Sequence, residues 1–290
     1  MTALAGAPVV VGVDGSKSSM QAVALATRLA VARGRPLRIV HAFAWAELRV
    51  PLGPDPLGPP EGGLANEAKR IVADAVLEAE KAAPGLAISG EVVDGPPVPV
   101  LLDEARRAAL VVLGSRGLGG FTGLLLGSVA VQLAAHAPCP VVVARGDIDR
   151  ERDILVGVSG SPADEKVLQF AFEEAAFRGV GITALHAFRY PVAGEHGDML
   201  PLVYDISQLE ADESAVLAEA LAGWRERYPD VPVHKLLVRD RPSRALIQAA
   251  DRASLVVVGS RGRGGFAGLL LGSVSHALLH HASCPVAVLR

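Results

Sequence analysis

The sequence predicts an α/β fold of two tandem, doubly wound domains, each with a five-stranded, mostly parallel sheet. Two observations carry this prediction. The chain repeats itself at a distance of 145 residues, and 24 of 35 positions are identical between Val111–Arg145 and Val256–Arg290. Within each repeat, short runs rich in valine, isoleucine and leucine alternate with segments of helical periodicity, as expected for buried parallel strands covered by helices. We expect the domains at residues 1–146 and 153–290, with the charged stretch Gly146–Arg152 as the link.

The elements follow one order in both repeats. In the first, Ser16, Ser18 and Ser19 are candidate caps for the first helix, and a loop rich in proline and glycine follows the second strand. The predicted elements are the strand Pro8–Val13, the helix Met20–Arg33, the strand Pro36–Phe43, the helix Leu64–Ala83, the strand Ala87–Val93, the helix Val98–Ala108, the strand Ala109–Ser115, a helix from about Gly127 and the strand Cys139–Arg145. The second repeat runs in the same order from Ile154 to Arg290.

Composition excludes several classes of protein. The net charge is −3 with acids and bases interspersed, which argues against a sequence-independent nucleic-acid binder. Two cysteines are too few for a disulfide framework and suit a reducing compartment. No apolar run reaches the roughly 18 residues of a membrane-spanning helix, and the N-terminus lacks the basic start of a signal peptide. We therefore expect a cytoplasmic protein without a membrane span.

Each repeat carries a glycine-rich loop after its fourth strand, GSRGLGGFTGLLLGS at Gly114–Ser128 and GSRGRGGFAGLLLGS at Gly259–Ser273. Glycine lets the backbone approach a ligand closely, and the helix that follows offers free N–H groups and a positive dipole end. Arg116 and Ser128 add a guanidinium and a hydroxyl. The alternative is a turn that uses glycine only for tight packing. The repetition in one strand–loop–helix context favours a phosphate-binding loop.

Two known loop types do not fit. A Walker loop has a lysine before its serine or threonine, whereas Gly127 precedes Ser128 here. A dinucleotide fingerprint follows the first strand of its unit, whereas this loop follows the fourth. In a doubly wound sheet, ligands bind beyond the carboxyl ends of the strands where the strand order reverses. We therefore expect a site between the turns after strands one and four.

The spacing Gly-x-x-Gly, nine residues, Gly-Ser resembles the ATP-binding signature of the universal stress protein family. It occurs in both repeats, and the resemblance covers essentially the whole chain as a tandem pair, including the VGVDGS opening and the CPV ending. The resemblance implies a Rossmann-like, adenine nucleotide α-hydrolase-like fold with ATP as the cofactor. It also implies that the loop and its Gly-Ser hold ribose and phosphates, that an aspartate after the first strand lies near the nucleotide, and that backbone at the end of the second strand meets the adenine.

These implications map onto matching positions of both repeats. The candidate residues of the first repeat are Gly12, Asp14, Ala42, Gly114, Ser115, Arg116, Gly117, Leu118, Gly119, Gly120, Gly127, Ser128 and Val129. Those of the second are Gly157, Ala187, Gly259, Ser260, Arg261, Gly262, Arg263, Gly264, Gly265, Gly272, Ser273 and Val274.

The repeats differ where the first has Asp14 and the second Ser159. A carboxylate beside a triphosphate is tolerable if it bonds a ribose hydroxyl or acts through a cation such as Mg²⁺, whereas a serine keeps a hydrogen bond without the charge. We therefore predict two sites that differ in affinity or metal dependence. The alternative is that Asp14 merely caps the first helix. Arg263 in place of Leu118 adds a cation to the second loop.

Other reactive residues point less strongly to function. His41 and His186 end strands at matching positions, where a structural role is favoured over that of a catalytic base. Cys139 and Cys284 precede prolines and resemble small buried hydrophobes. The pair His280-His281 has no carboxylate or cysteine at metal-ligand spacing, so no metal site is expected there.

The sequence is compatible with three functions. The first is an ATP-binding regulator of stress response or growth with slow or no hydrolysis, acting on a regulatory protein partner. The second is an ATPase or nucleotidyl-transfer enzyme on the same fold, and the third is a scaffold that has lost the nucleotide. The absence of a positioned base, nucleophile or lysine in the loop sequences favours binding over turnover.

The last strands predict the assembly. PVVVAR and PVAVLR are short apolar edges, and an exposed edge tends to pair. In the resembled family such strands pair antiparallel across a two-fold axis. We expect them to pair within this chain as an internal pseudo-dimer, and we expect chains to form a homodimer.

Overall fold

A computed structural model describes residues 6–44, 60–117, 126–189, 206–262 and 271–290. The first repeat contains β1 (Val9–Gly12), α1 (Lys17–Ala32), β2 (Leu37–Phe43), α2 (Pro60–Ala82), β3 (Ile88–Asp94), α3 (Pro97–Ala105), β4 (Leu110–Gly114), α4 (Ser128–His136) and β5 (Val141–Ala144). The second contains β6 (Ile154–Gly157), α5 (Asp164–Arg178), β7 (Ile182–Phe188), α6 (Ile206–Ala220), α7 (Trp224–Arg227), β8 (Val233–Arg239), α8 (Pro242–Ala250), β9 (Leu255–Gly259), α9 (Ser273–His281) and β10 (Val286–Leu289).

The predicted order of elements is confirmed in both repeats, and the short helix α7 is an addition to it. Most of the predicted loop between β2 and α2 lies outside the described residues.

The strands form one sheet in the order β3-β2-β1-β4-β5-β10-β9-β6-β7-β8. Within each repeat every pairing is parallel, as predicted for two tandem doubly wound domains. The strand order reverses between β1 and β4 in the first domain and between β6 and β9 in the second. A crevice at the carboxyl ends of these strand pairs is therefore the position that the topology provides for a ligand.

Valine-rich strands are buried on both faces. Consecutive side chains of a strand point to opposite faces, so Val9 and Val11 pack into one hydrophobic layer and Val10 into the other. Each layer continues through both domains. Two-sided burial is why these strands read as continuous apolar runs rather than as alternating patterns.

The first helix shows how local sequence sets an element. Ser16 has an extended backbone, and its hydroxyl accepts a hydrogen bond from the N–H of Ser19 at 3.1 Å, which caps α1. Ala22, Leu25 and Leu29 recur at helical spacing and are buried against the sheet. Of the three candidate caps, the structure assigns this role to Ser16, and Asp14 lies outside the helix.

The domains join through antiparallel pairing of their last strands. Val143 of β5 lies opposite Val286 of β10, and Val141 lies opposite Val288. The predicted internal pseudo-dimer is thus present. Among the described helices, none has the length and apolar character to cross a membrane.

Candidate functional site

A cavity of about 580 Å³ opens in the second domain at the carboxyl ends of β6, β7 and β9. This volume is in the range of small-molecule sites. Helices α6, α8 and α9 contribute to its walls. The predicted site residues that line it are Gly157, Ala187, Gly259, Arg261, Gly262, Gly272, Ser273 and Val274. The topology thus brings most of the described candidates of the second repeat to one cavity.

One carbonyl group connects the end of β9 to the start of α9 at the edge of this cavity. The carbonyl oxygen of Ser260 accepts hydrogen bonds from the N–H of Gly272 at 2.7 Å and from the hydroxyl of Ser275 at 3.1 Å. Ser260 itself is buried and is the one described candidate of the second repeat that does not line the cavity. The remaining candidates Arg263, Gly264 and Gly265 lie outside the described residues.

The start of α9 faces this cavity. Gly272 is the N-cap, and because glycine has no side chain, no side-chain oxygen at this position accepts a hydrogen bond from the N–H groups of the first turn. The N–H groups of Ser273 and Val274 lie in that turn, where an α-helix has no intrahelical acceptor for them. Exposed Arg261 adds a positive charge at the same edge. Together these groups suit an anion.

Asp164 supplies a carboxylate that the comparison of Asp14 with Ser159 did not reveal. One oxygen of Asp164 accepts hydrogen bonds from the N–H groups of Ser159, Gly160 and Ser161 at 2.9, 2.5 and 3.2 Å. The other accepts from the hydroxyl of Ser159 at 2.8 Å. The second domain therefore keeps an acid beside its first turn. This acid is the first residue of α5, at the position equivalent to Ser19.

A histidine and a glutamate meet at another wall of the cavity. The Nδ1 atom of His186 lies 2.8 Å from the carbonyl oxygen of Val158, and Nε2 lies 2.7 Å from a carboxylate oxygen of Glu213. His41 of the first domain makes the same contact with Val13, also at 2.8 Å. The structural role expected for both histidines is consistent with these bonds. Glu213 carried no signal in the sequence, because periodicity does not say which helical residue reaches a cavity.

The first domain holds its acid differently. Asp14 accepts a hydrogen bond from the N–H of Ser16 at 3.0 Å. A Cβ atom added to Gly117 would lie 2.5 Å from the carboxylate of Asp14, whereas one added to Gly262 would meet Ser159 at 3.8 Å. The acid thus lies directly against Gly117 in the first domain, whereas a serine takes that place beside Gly262 in the second.

Hydrogen bonds connect the start of α1 to this loop. The N–H of Arg116 donates to the hydroxyl of Ser18 at 3.2 Å, and this hydroxyl also lies 3.3 Å from that of Ser115. A Cβ on Gly114 would lie 2.7 Å from the backbone of Ser18, so this close approach requires glycine.

The other described candidates of the first repeat lie at the ends of β1, β2 and β4 and at the start of α4. The N–H of Gly127 donates to Ser115 at 2.9 Å, which repeats the closure seen in the second domain. Ser128 and Val129 form the first turn of α4, and Ala42 lies near the end of β2. Gly12 is buried, and a Cβ there would lie 2.8 Å from a terminal methyl group of Leu113. Leu118, Gly119 and Gly120 lie outside the described residues.

The cysteines are free, with Cys284 buried and Cys139 half-buried. Burial raises the pKa of each thiol to about 12, so neither is poised as a nucleophile. Within the described ranges, no group of three or more histidine, cysteine, aspartate or glutamate side chains is arranged to hold a metal ion.

Comparison with known proteins identifies relatives over the full length. The model of the universal stress protein family matches residues 7–145 and again residues 151–290. A universal stress protein from Mycobacterium tuberculosis strain H37Rv is 42% identical over 292 residues, covering 97% of this chain and 96% of the relative. One from Mycolicibacterium smegmatis is 39% identical with the same coverage. The crystal structure of a universal stress protein from Archaeoglobus fulgidus is similar in fold, with a TM-score of 0.68, 19% identity and 99% coverage of both chains.

Proposed function

Because the chain belongs to the universal stress protein family, we propose that it is an ATP-binding regulatory protein in which each of the two domains holds one nucleotide. In this proposal ATP binding shifts the conformation or the choice of protein partner, and hydrolysis is slow or absent. The single observation that carries the proposal is the cavity of the second domain, which is lined by eight of the predicted site residues.

The chemistry of the cavity supports a nucleotide. Its loop edge offers the first-turn N–H groups of α9 and the Arg261 guanidinium to phosphates. Its walls include apolar side chains such as Leu246 and Val258, against which a base can pack. In this arrangement Gly259 and Gly262 let the backbone approach the phosphates, and the backbone of Ala187 meets the adenine.

Binding is favoured over turnover by the groups near the loop. His186 has both ring nitrogens in hydrogen bonds, to Val158 and Glu213, so it is not set up to take a proton from water. The loop sequences contain no lysine that could stabilise a leaving phosphate. An ATPase remains the rival proposal, and steady turnover well above background that is lost with a glycine-loop variant would favour it.

Gly262→Ala tests the proposal without disturbing the protein itself. The added Cβ would meet Ser159 at 3.8 Å, an ordinary contact, so the fold should tolerate it. A phosphate held close to the backbone would not, and we expect ATP affinity at one of two sites to fall about tenfold or more in isothermal titration. Gly63→Ala is the matched control, because it adds a methyl group where nothing lies within 4 Å. Equal affinity in both variants and the unsubstituted protein would contradict the proposed role of the loop.

We also propose that the two sites differ in their use of Mg²⁺. In the first domain the carboxylate of Asp14 lies against the glycine loop, where it can share a cation with the phosphates. In the second, Asp164 is engaged by three N–H groups and a hydroxyl. Mg²⁺ is therefore the candidate second cofactor of the first site.

A further inference from the structure

The cavity of the second domain has two chemically different ends. One end is formed by the loop after β9 and the start of α9, which suit an anion. The other contains His186 on β7 and Glu213 on α6. Strands β9 and β7 are separated in the sheet by β6 alone, so two strand spacings put these ends about 10 Å apart. A ligand that fills the cavity meets N–H groups at one end and a carboxylate at the other.

The carboxylate of Glu213 is held in place by His186. A carbonyl oxygen can only accept, so the 2.8 Å contact with Val158 puts a hydrogen on Nδ1 of the histidine. With a hydrogen on Nε2 as well, as in the imidazolium form, His186 also donates to one carboxylate oxygen of Glu213, at 2.7 Å. The side chain of Glu213 is 22% exposed and lines the cavity, so the carboxylate remains within reach of a ligand.

A carboxylate in this place favours particular ligands. An ionised carboxyl group accepts hydrogen bonds and donates none, and covering it with an acceptor or an apolar group leaves it unsatisfied at a cost. A ligand with an N–H or O–H group at this end is therefore favoured over one with a carbonyl oxygen. At the equivalent position the first domain has Ala68, which is buried and cannot make this distinction.

We propose that Glu213 determines ligand specificity in the second domain by accepting a hydrogen bond from an N–H or O–H donor on the bound nucleotide. This inference rests on the proposed function. The donor is either the exocyclic amino group of the base or a hydroxyl of the ribose. The first domain, with Ala68, lacks this preference, so the two sites of one chain select nucleotides with different stringency.

The test is isothermal titration of the full chain with ATP, with inosine triphosphate, which has an oxo group in place of the amino group, and with 2′-deoxy-ATP and 3′-deoxy-ATP. We expect at least one analogue to bind about tenfold more weakly than ATP at one site of the unsubstituted protein.

The quantity to compare is the ratio of the dissociation constants of the analogue and of ATP. Glu213→Ala should bring this affinity ratio close to one. Glu213→Gln should do the same with inosine triphosphate, because the glutamine amide both donates and accepts hydrogen bonds. His186→Phe keeps a ring but removes the contact that holds the Glu213 carboxylate in place, so it should shift the same affinity ratio toward one. The analogue whose affinity ratio changes in these variants identifies the group of ATP that donates to Glu213.

Glu210→Ala is the matched control, since Glu210 lies one turn earlier on α6 and is exposed. It should leave every ratio as in the unsubstituted protein. Thermal unfolding of each variant checks that the fold is retained. The inference is overturned if ATP binds at two sites but Glu213→Ala and Glu213→Gln leave all ratios unchanged. Failure of the proposed function gives a different result, namely no heat of binding with ATP in the unsubstituted protein.

Discussion

The position of a single carboxylate distinguishes the two domains at the scale of residues. The first domain has Asp14 after β1 and Ser19 inside α1, and the second has Ser159 and Asp164 at the equivalent positions. The acid is thus retained but moved by five residues. In the first domain it lies against Gly117, and in the second it satisfies the N–H groups of its own turn. A change that looks like the loss of a charge is a relocation of that charge.

Removal of Mg²⁺ should therefore weaken ATP binding at one site more than at the other. We expect EDTA to lower the affinity of one site about tenfold in isothermal titration, because Asp14 and the triphosphate then repel each other without a shared cation. Asp14→Asn should abolish this sensitivity to Mg²⁺. Asp164→Asn is the matched control and should retain it, because the Asp164 carboxylate is already occupied by N–H and O–H donors. The same Mg²⁺ sensitivity in both variants would contradict the assignment.

At the scale of elements, an ion triad around one buried carboxylate joins helix α5 to the end of α1. The guanidinium of Arg33, which follows α1, lies 2.6 Å from one oxygen of Glu174, and Arg178 lies 2.5 Å from the other. Glu174 is fully buried. Arg33 also lies over the rings of Phe170 and Phe177, at 5.0 and 5.3 Å from their centroids. Burial lowers the pKa of the Arg33 guanidinium, and the charge of Glu174 opposes that shift.

This triad is not symmetric between the repeats. Arg33 and Arg178 occupy equivalent positions, but the equivalent of Glu174 is Leu29. One carboxylate therefore serves both arginines across the contact between the domains. A contact between two copies of the first domain would bury Arg33 against leucine. The triad thus favours pairing of the first domain with the second.

Glu174→Gln should destabilise the protein by about 3 kcal/mol, because Arg33 then loses the charge that compensates its burial and the partly exposed Arg178 loses its ion pair. Urea unfolding followed by circular dichroism measures this. Glu165→Gln, an exposed substitution on the same helix, is the control and should change the free energy of unfolding by less than about 0.5 kcal/mol. Replacing Glu174 with leucine and both arginines with methionine should regain most of the loss. Equal stability of the glutamine variant and the control would show that the triad contributes little.

The ten-stranded sheet makes the two domains one unit at the scale of the whole molecule. Besides the pairing of β5 with β10, Arg145 of the first domain donates to the carbonyl oxygen of His280 at 2.8 Å and also to that of Leu279, at the end of α9. The link between the domains is packed as well. Gly146 has a φ of +57°, and a Cβ there would lie 2.0 Å from the carbonyl oxygen of Ser283. Since β5 and β10 pair with each other, a homodimer of chains, which remains a prediction, would use other surfaces.

Most of this architecture could be predicted from the sequence, because each local signature of a strand or loop occurs in both repeats. Valine-rich runs such as Val9–Gly12 and the glycine loops have local signatures, and their recurrence 145 residues later identified both domains. Asp164 has a signal in the sequence, an aspartate opposite Ser19, but it stands five residues beyond the position that corresponds to Asp14. The roles of Glu213 and Glu174 could not be predicted from local signatures or from the repeat. Their roles depend on which helical face meets a cavity or another domain, and that is decided by tertiary packing.

The central claim, that each domain holds one ATP, is tested most directly by native mass spectrometry of the full chain at increasing ATP concentration. We expect species with one and two bound nucleotides and saturation at two per chain. With Gly262→Ala, the second nucleotide should appear only at about tenfold higher ATP concentration. Saturation at one ATP per chain would contradict this claim. So would the absence of any bound nucleotide at ATP concentrations below those that give nonspecific adducts.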